Sequence, residues 1–192
     1  MGIKMKKNAM RVLALILAIV FLVPIGTIAG DEKSELKKLD NETKVLDRYI
    51  TIDKNDNITF ARQRAINDKV DDNIIELGDA IIKYCTGTTK DKKNNVTPLM
   101  SFPIHGKYCG PGHSGPGKPI DRLDAVCQKH DYCYHKKGYH KCPCDKAMLK
   151  SLKKLLPKLS GTTWLKCKVM IWWLGKKTSK VTKKGGAFSC RR

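Results

Sequence analysis

His130 and Asp131 stand side by side, three residues after Cys127 and three before Tyr134. On a helix turning about 100° per residue, Cys127, His130, Asp131 and Tyr134 fall on one face roughly 100° wide. A titratable base and an oxygen ligand therefore point the same way. Further on, Met148, Leu149, Leu152 and Leu156 recur at helical spacing, whereas Lys146, Lys150, Lys153 and Lys154 lie off their stripe. Asp145 falls on the apolar stripe. A carboxylate facing a core is costly unless paired, and the nearest candidate partner on a neighbouring antiparallel helix is His130. Upstream, Tyr108-Cys109-Gly110-Pro111-Gly112 forms a loop in which two glycines carry no Cβ, so its backbone can bend until several carbonyl oxygens face one point. Such a loop can coordinate a hard cation.

The elements that must hold these groups are legible as well. Asp121, with Asp124 three residues on, is a suitable N-cap for the His130 helix, which closes near Gly138. A second helix is predicted to start at Asp145. Only Lys136 to Pro143 lies between the two, so the pair must be joined by a short connection.

Three motifs occur in order: Tyr108-Cys109-Gly110-Pro111-Gly112, then Cys127-Gln128-Lys129-His130-Asp131-Tyr132-Cys133-Tyr134, then Cys142-Pro143-Cys144-Asp145. Together they resemble the secreted phospholipase A2 family over about forty residues, in a divergent form with a short connection and a Cys-Gly-Pro-Gly loop. The resemblance implies a mainly α fold: two disulfide-linked antiparallel helices carry the site, a calcium loop precedes them, and a small β-hairpin stands N-terminal. It implies Ca2+ held by the carbonyls of Tyr108, Gly110 and Gly112 and by the Asp131 carboxylate. His130 is then the general base, Asp145 its orienting carboxylate and Tyr134 a support for Asp145. The bond cleaved is the sn-2 ester of a glycerophospholipid. The resemblance also implies the disulfides Cys109–Cys127 and Cys133–Cys144, leaving Cys85, Cys142, Cys167 and Cys190 unassigned. His113 departs from the glycine that many animal members carry there.

The chain has 192 residues, 38 of them Lys or Arg against 18 Asp or Glu, and eight cysteines. Residues 1–29 read as a secretory signal peptide: Lys4, Lys6, Lys7 and Arg11 precede an apolar run from Val12 to Val23, and Thr27-Ile28-Ala29 supplies small residues for cleavage. The competing reading, a membrane anchor, is opposed by Pro24 and Gly26, which interrupt the run before it reaches about 20 residues. Export explains the cysteines as disulfides. It also argues against a zinc site at Cys133, His135, His140, Cys142 and Cys144, whose spacing lacks paired Cys-x-x-Cys knuckles.

Residues 30–60 read as a leader or hairpin segment, either propeptide or part of the fold. Within them, residues 31–48 are a weak helix or a disordered leader, and Ile50–Ile52 and Ile58–Phe60 flank a polar turn as a hairpin. The catalytic domain is expected over residues 61–192. It begins with one amphipathic helix through Ile66, Val70, Ile74, Leu77, Ile81 and Tyr84, followed by a polar linker from Thr88 to Pro98. Glycosylation triplets begin at Asn41, Asn57 and Asn95.

Residues 101–192 hold 21 Lys or Arg and four acids, a net of +17, whereas residues 30–100 hold 13 and 14, a net of −1. The four acids are Asp121, Asp124, Asp131 and Asp145, all inside the proposed site helices. Such a field attracts polyanions. No nucleic-acid-binding motif accompanies it, and no obligate protein partner is evident, so the expected partner is an anionic phospholipid membrane surface. Trp172 and Trp173 are adjacent and cannot both face inward on one helix; with Lys176 and Lys177 they are the expected membrane contact. The expected function is a secreted calcium-dependent phospholipase A2. The alternative, from another class, is a non-catalytic cationic membrane-disrupting protein on the same scaffold, in which His130 or Asp131 would be expected to have been replaced.

Overall fold

The computed structural model describes residues 27–86, 88–90, 96–98, 103–186 and 189–192. Residues 1–26, which hold most of the expected signal peptide including its apolar run, lie outside the described residues, as does the triplet asparagine Asn95. No helix among the described residues is long and apolar enough to cross a membrane. The chain divides into Met1–Ser34 and a larger unit, Glu35–Arg192. Of the first, only the opening turns of helix α1, Thr27–Leu46, are described.

Within the larger unit, α1 is a packed element. Leu39 and Leu46 are buried in the main core, and the indole of Trp164 donates to Glu35 at 3.0 Å. The acid-rich composition that made this stretch read as a weak helix is what docks it: Glu42 pairs with buried Lys168, and Asp47 pairs with Lys176 at 2.5 Å. The predicted hairpin follows as β1, Ile50–Ile52, and β2, Ile58–Phe60, antiparallel with Ile52 opposite Ile58. Asp53 sets its turn by accepting from the backbone N–H groups of Asn55 and Asn57.

The single amphipathic helix expected through Ile66 and Tyr84 is two helices, α2, Arg62–Asn67, and α3, Asp72–Thr86. Capping chemistry overrides the periodicity. Lys69 takes the left-handed conformation, φ 54°, and the Val70 N–H returns to the Ala65 carbonyl at 3.0 Å, closing α2. Asp71 then starts α3 by accepting from the Asn73 N–H at 2.9 Å. Ile66 is consequently exposed, while Leu77 and Ile81 are fully buried. The expected linker also contains paired backbone: β3, Thr88–Lys90, runs antiparallel to β4, Val96–Pro98.

Helices α4, Arg122–Lys137, and α5, Cys142–Leu155, pack on one another and carry the site; α5 packs in turn on α6, Gly161–Ser179, which also meets α3. Helix α4 is capped as the sequence indicates, with Asp121 accepting from the Asp124 N–H at 2.9 Å and Gly138 at its C-terminal end. Helix α5 begins at Cys142, three residues before the predicted start, because Pro143 fits a first helical turn, where its missing N–H has no partner to lose. The fold is thus mainly helical, with small two-stranded sheets. After α6, β5, Val181–Thr182, pairs in parallel with β6, Cys190–Arg191.

Three disulfides staple the molecule: Cys109–Cys127, Cys133–Cys144 and Cys142–Cys190. The first ties the glycine-rich loop to α4, the second joins α4 to α5, and the third fastens the C-terminal strand to the start of α5. Cys85 and Cys167 are free thiols. Cys167 lies in the core and Cys85 is half-buried against it, and burial pushes each thiol up to about 12, which disfavours the reactive thiolate.

Candidate active site

The loop before α4 is held from inside by one carboxylate. Asp124, fully buried, accepts from the backbone N–H groups of Lys107, Tyr108 and Ile120 at 2.8–3.1 Å. Gly106 makes this possible: at φ +60° a Cβ there would lie 2.3 Å from the Asp124 carboxyl carbon. Asp121, beside it, pairs with His105 at 2.6 Å. The sequence offered Asp124 only as a capping residue. Its position three residues before Cys127 and seven before Asp131 puts it on the same inward face, and that was the available signal.

The glycines of the loop adopt positive φ, 140° at Gly110 and 74° at Gly112, and the Gly110 carbonyl accepts from the His113 N–H at 3.2 Å. Two residues beyond Gly112, Ser114 faces the Asp131 side chain, so the loop returns to α4 at Asp131. One Asp131 oxygen, Oδ2, is buried without a hydrogen-bond partner. Burial pushes this carboxyl up to about 6, against the opposing effects of His130 and Ser114. A desolvated acid with an orphaned oxygen, beside a glycine loop of bent backbone, fits an oxygen-lined hard-cation site. Among the described residues no group of three or more His, Cys, Asp or Glu side chains could hold a metal. The cysteines of the rival zinc set are all in disulfides.

His130 and Asp145 meet as their stripes require. His130 Nε2 lies 2.9 Å from Asp145 Oδ1, with the imidazole 9% exposed and the carboxylate 0% exposed. The Tyr134 hydroxyl donates to the same Asp145 oxygen, and its ring packs 4.1 Å from the imidazole. Burial alone would raise the Asp145 carboxyl. The bonds from His130 and Tyr134, together with the Lys177 charge, outweigh it and hold the group below its ordinary value. Tyr134 is pushed upward by burial and by Asp145, so it remains a phenol and a donor.

The expected membrane contacts do not form one exposed patch. Trp172 is 3% exposed and Lys177 1%. Trp172 packs inward and donates to Asp47 at 3.3 Å; Lys177 points at Tyr134 and Asp145. Lys176 is paired with Asp47, and Trp173 is half-buried beneath Lys177. The reason is the stripe itself: Cys167, Met170, Leu174 and Lys177 recur at spacings of three and four, all buried. A lysine on a core stripe signals a buried partner, as a carboxylate on α5 did.

Residues 86–169 match the sequence model of the family described as phospholipase A2. Over that segment the chain is similar to the phospholipase A2 family. It is 45% identical over 84 residues to phospholipase A2-beta of Arabidopsis thaliana, a match covering 43% of this chain and 54% of that one. It is 44% identical over 57 residues to basic phospholipase A2 nigroxin A of Micrurus nigrocinctus, covering 30% and 46%. With the phospholipase A2 of Bos taurus it shares 48% over 48 residues, covering 25% and 32%. The chain thus spans about half or less of the length of the curated relatives it matches. No solved structure matches it. The matched family segment contains all three motifs, together with α4, α5 and the first half of α6.

Proposed function

We propose that the protein is a secreted calcium-dependent phospholipase A2 that hydrolyses the sn-2 ester of glycerophospholipids at an anionic membrane surface. The observation that carries this reading is the His130–Asp145–Tyr134 arrangement on paired helices, with the buried, unpartnered Asp131 oxygen one residue from the base. His130 engages Asp145 through Nε2, which leaves Nδ1 to take a proton from a water molecule. Asp145 fixes the tautomer and stabilises the imidazolium once the proton arrives. Tyr134 fixes Asp145. No serine or cysteine nucleophile is required; of the two free thiols, Cys167 is buried in the core and Cys85 is half-buried against it.

The carbonyls of Tyr108, Gly110 and Gly112 and the Asp131 carboxylate would hold the metal. Calcium, when bound, supplies a positive charge that polarises the ester carbonyl and offsets charge developing on its oxygen. The disulfide Cys109–Cys127 and the Asp124 carboxylate keep the loop against the helix that carries Asp131. Export and an extracellular setting rest on the segment before residue 30, the three disulfides and the relatives.

The test is fatty-acid release from anionic phosphatidylglycerol vesicles with calcium and with chelator. Release that needs calcium, and that falls by about 10²–10⁴-fold in His130→Gln, the range for a lost general base, is expected. Absence of release, or release indifferent to chelator and to His130, overturns the reading.

A further inference from the structure

We infer that Lys177 is a positioning residue for the His130–Asp145 pair, an inference that rests on the reading above. Its ammonium donates to the Tyr134 hydroxyl at 2.7 Å and lies 3.5 Å from Asp145 Oδ1. The Tyr134 oxygen thereby works in both directions: it donates to Asp145 and accepts from Lys177. With its proton directed at Asp145, the phenol cannot rotate away without taking from the buried Lys177 ammonium its shortest hydrogen bond.

Asp145 needs this support. Its Oδ1 faces His130, Tyr134 and Lys177, while Oδ2 is buried without a hydrogen-bond partner. The carboxylate charge is therefore compensated from one side, and Lys177 is the one formal cation in that set. Lys177 in turn has no other carboxylate within ion-pair distance among the described residues, and it lies between the Tyr134 and Trp173 rings at 5.3 and 5.0 Å. Burial pulls the ammonium below its ordinary value and the Asp145 charge pulls it back. An uncompensated ammonium would not be retained there.

The arrangement also links α6 and the C-terminus to the chemistry. His140, whose ring lies edge-on 6.2 Å from the Tyr134 ring, sits at φ +61°, and its carbonyl accepts from the Arg191 N–H at 2.5 Å. Arg191 follows Cys190, whose disulfide to Cys142 fixes this strand to the start of α5. The Tyr134 side chain is thus flanked from two directions, its hydroxyl by α6 through Lys177 and its ring by His140, which the C-terminal strand holds.

The experiment uses the full chain with short-chain phosphatidylcholine below its micelle concentration, so that surface binding plays no part. Lys177→Met is expected to lower kcat by about tenfold to a hundredfold, the scale of a slightly misplaced catalytic group, with KM little changed. Tyr134→Phe should give a similar fall, and the double variant should fall no further than either alone. Lys180→Met, an exposed lysine at the end of the same helix, is the control. An unchanged kcat in Lys177→Met, or additive losses in the double variant, overturns the inference. Should Lys177→Met not fold, Lys177→Arg with Tyr134→Phe carries the same cycle. The Lys177 ammonium proton signals, shifted by Tyr134→Phe, report the contact independently of turnover. Inactive wild type with that shift present refutes the proposed function, whereas active wild type with no shift refutes the positioning role.

Discussion

At the scale of single residues, Asp131 carries the clearest pH signature. Its folded-state value of about 6 lies above the ordinary carboxyl value of 3.8, so the native protein without metal binds that proton more tightly than the unfolded chain does. Its contribution to stability is therefore complete at low pH and is lost as pH rises through about 6. Asp121 and Asp145 run the other way, held low and losing stability in acid. The comparison that isolates Asp131 is wild type against Asp131→Asn, both in chelator, by denaturant unfolding across pH 4–8. Wild type should lose stability relative to the variant as pH rises, and calcium should restore it only in wild type. Parallel curves with and without calcium would show that this carboxylate does not face the ion.

At the scale of elements, what the sequence made legible and what it hid follow one rule. Helix α4 was readable because cap, stop and face agree: Asp121, Gly138, and Cys127, His130, Asp131 and Tyr134 on one side. The break between α2 and α3 was hidden because the apolar period runs straight through it, and only the left-handed turn at Lys69 and the cap at Asp71 reveal two helices. Helix α1 was ambiguous because its acids read as solvated until their partners on α6 are known. The buried pair tests that point. Glu42→Ala strands Lys168, which is 1% exposed, and should cost about 3–5 kcal/mol. Lys176→Ala removes the half-exposed pair with Asp47 while leaving the Trp172 acceptor in place, and should cost about 1 kcal/mol or less. Equal small losses in denaturant unfolding would mean that α1 contributes little to the fold.

At the scale of the whole molecule, charge and apolar exposure are distributed differently from what the bare sequence suggested. Of the 21 basic residues after position 100, Lys168 and Lys177 are buried and Lys176 is paired, so they are poorly placed to bind lipid. Lys129, Lys136, Lys137, Lys146, Lys150 and Lys154 on α4 and α5 remain exposed, and large apolar side chains stand out at Ile120, Tyr132 and Tyr139. The Lys136 ammonium already lies over the Tyr132 ring at 4.6 Å, placing charge and aromatic surface together. Two variants separate the surfaces. Trp172→Ala should lower stability by about 3–5 kcal/mol, as for a buried aromatic, rather than act through lipid. Tyr139→Ala, at 71% exposure, should leave stability within about 0.5 kcal/mol and weaken co-sedimentation with anionic vesicles. Added salt should weaken binding by wild type in the same way, since each lysine near a charged surface contributes up to about 1 kcal/mol and is screened beyond about 8 Å. Vesicle binding that is indifferent to salt and lipid charge, or that is lost in folded Trp172→Ala but kept in Tyr139→Ala, would return the lipid contact to the C-terminal helix.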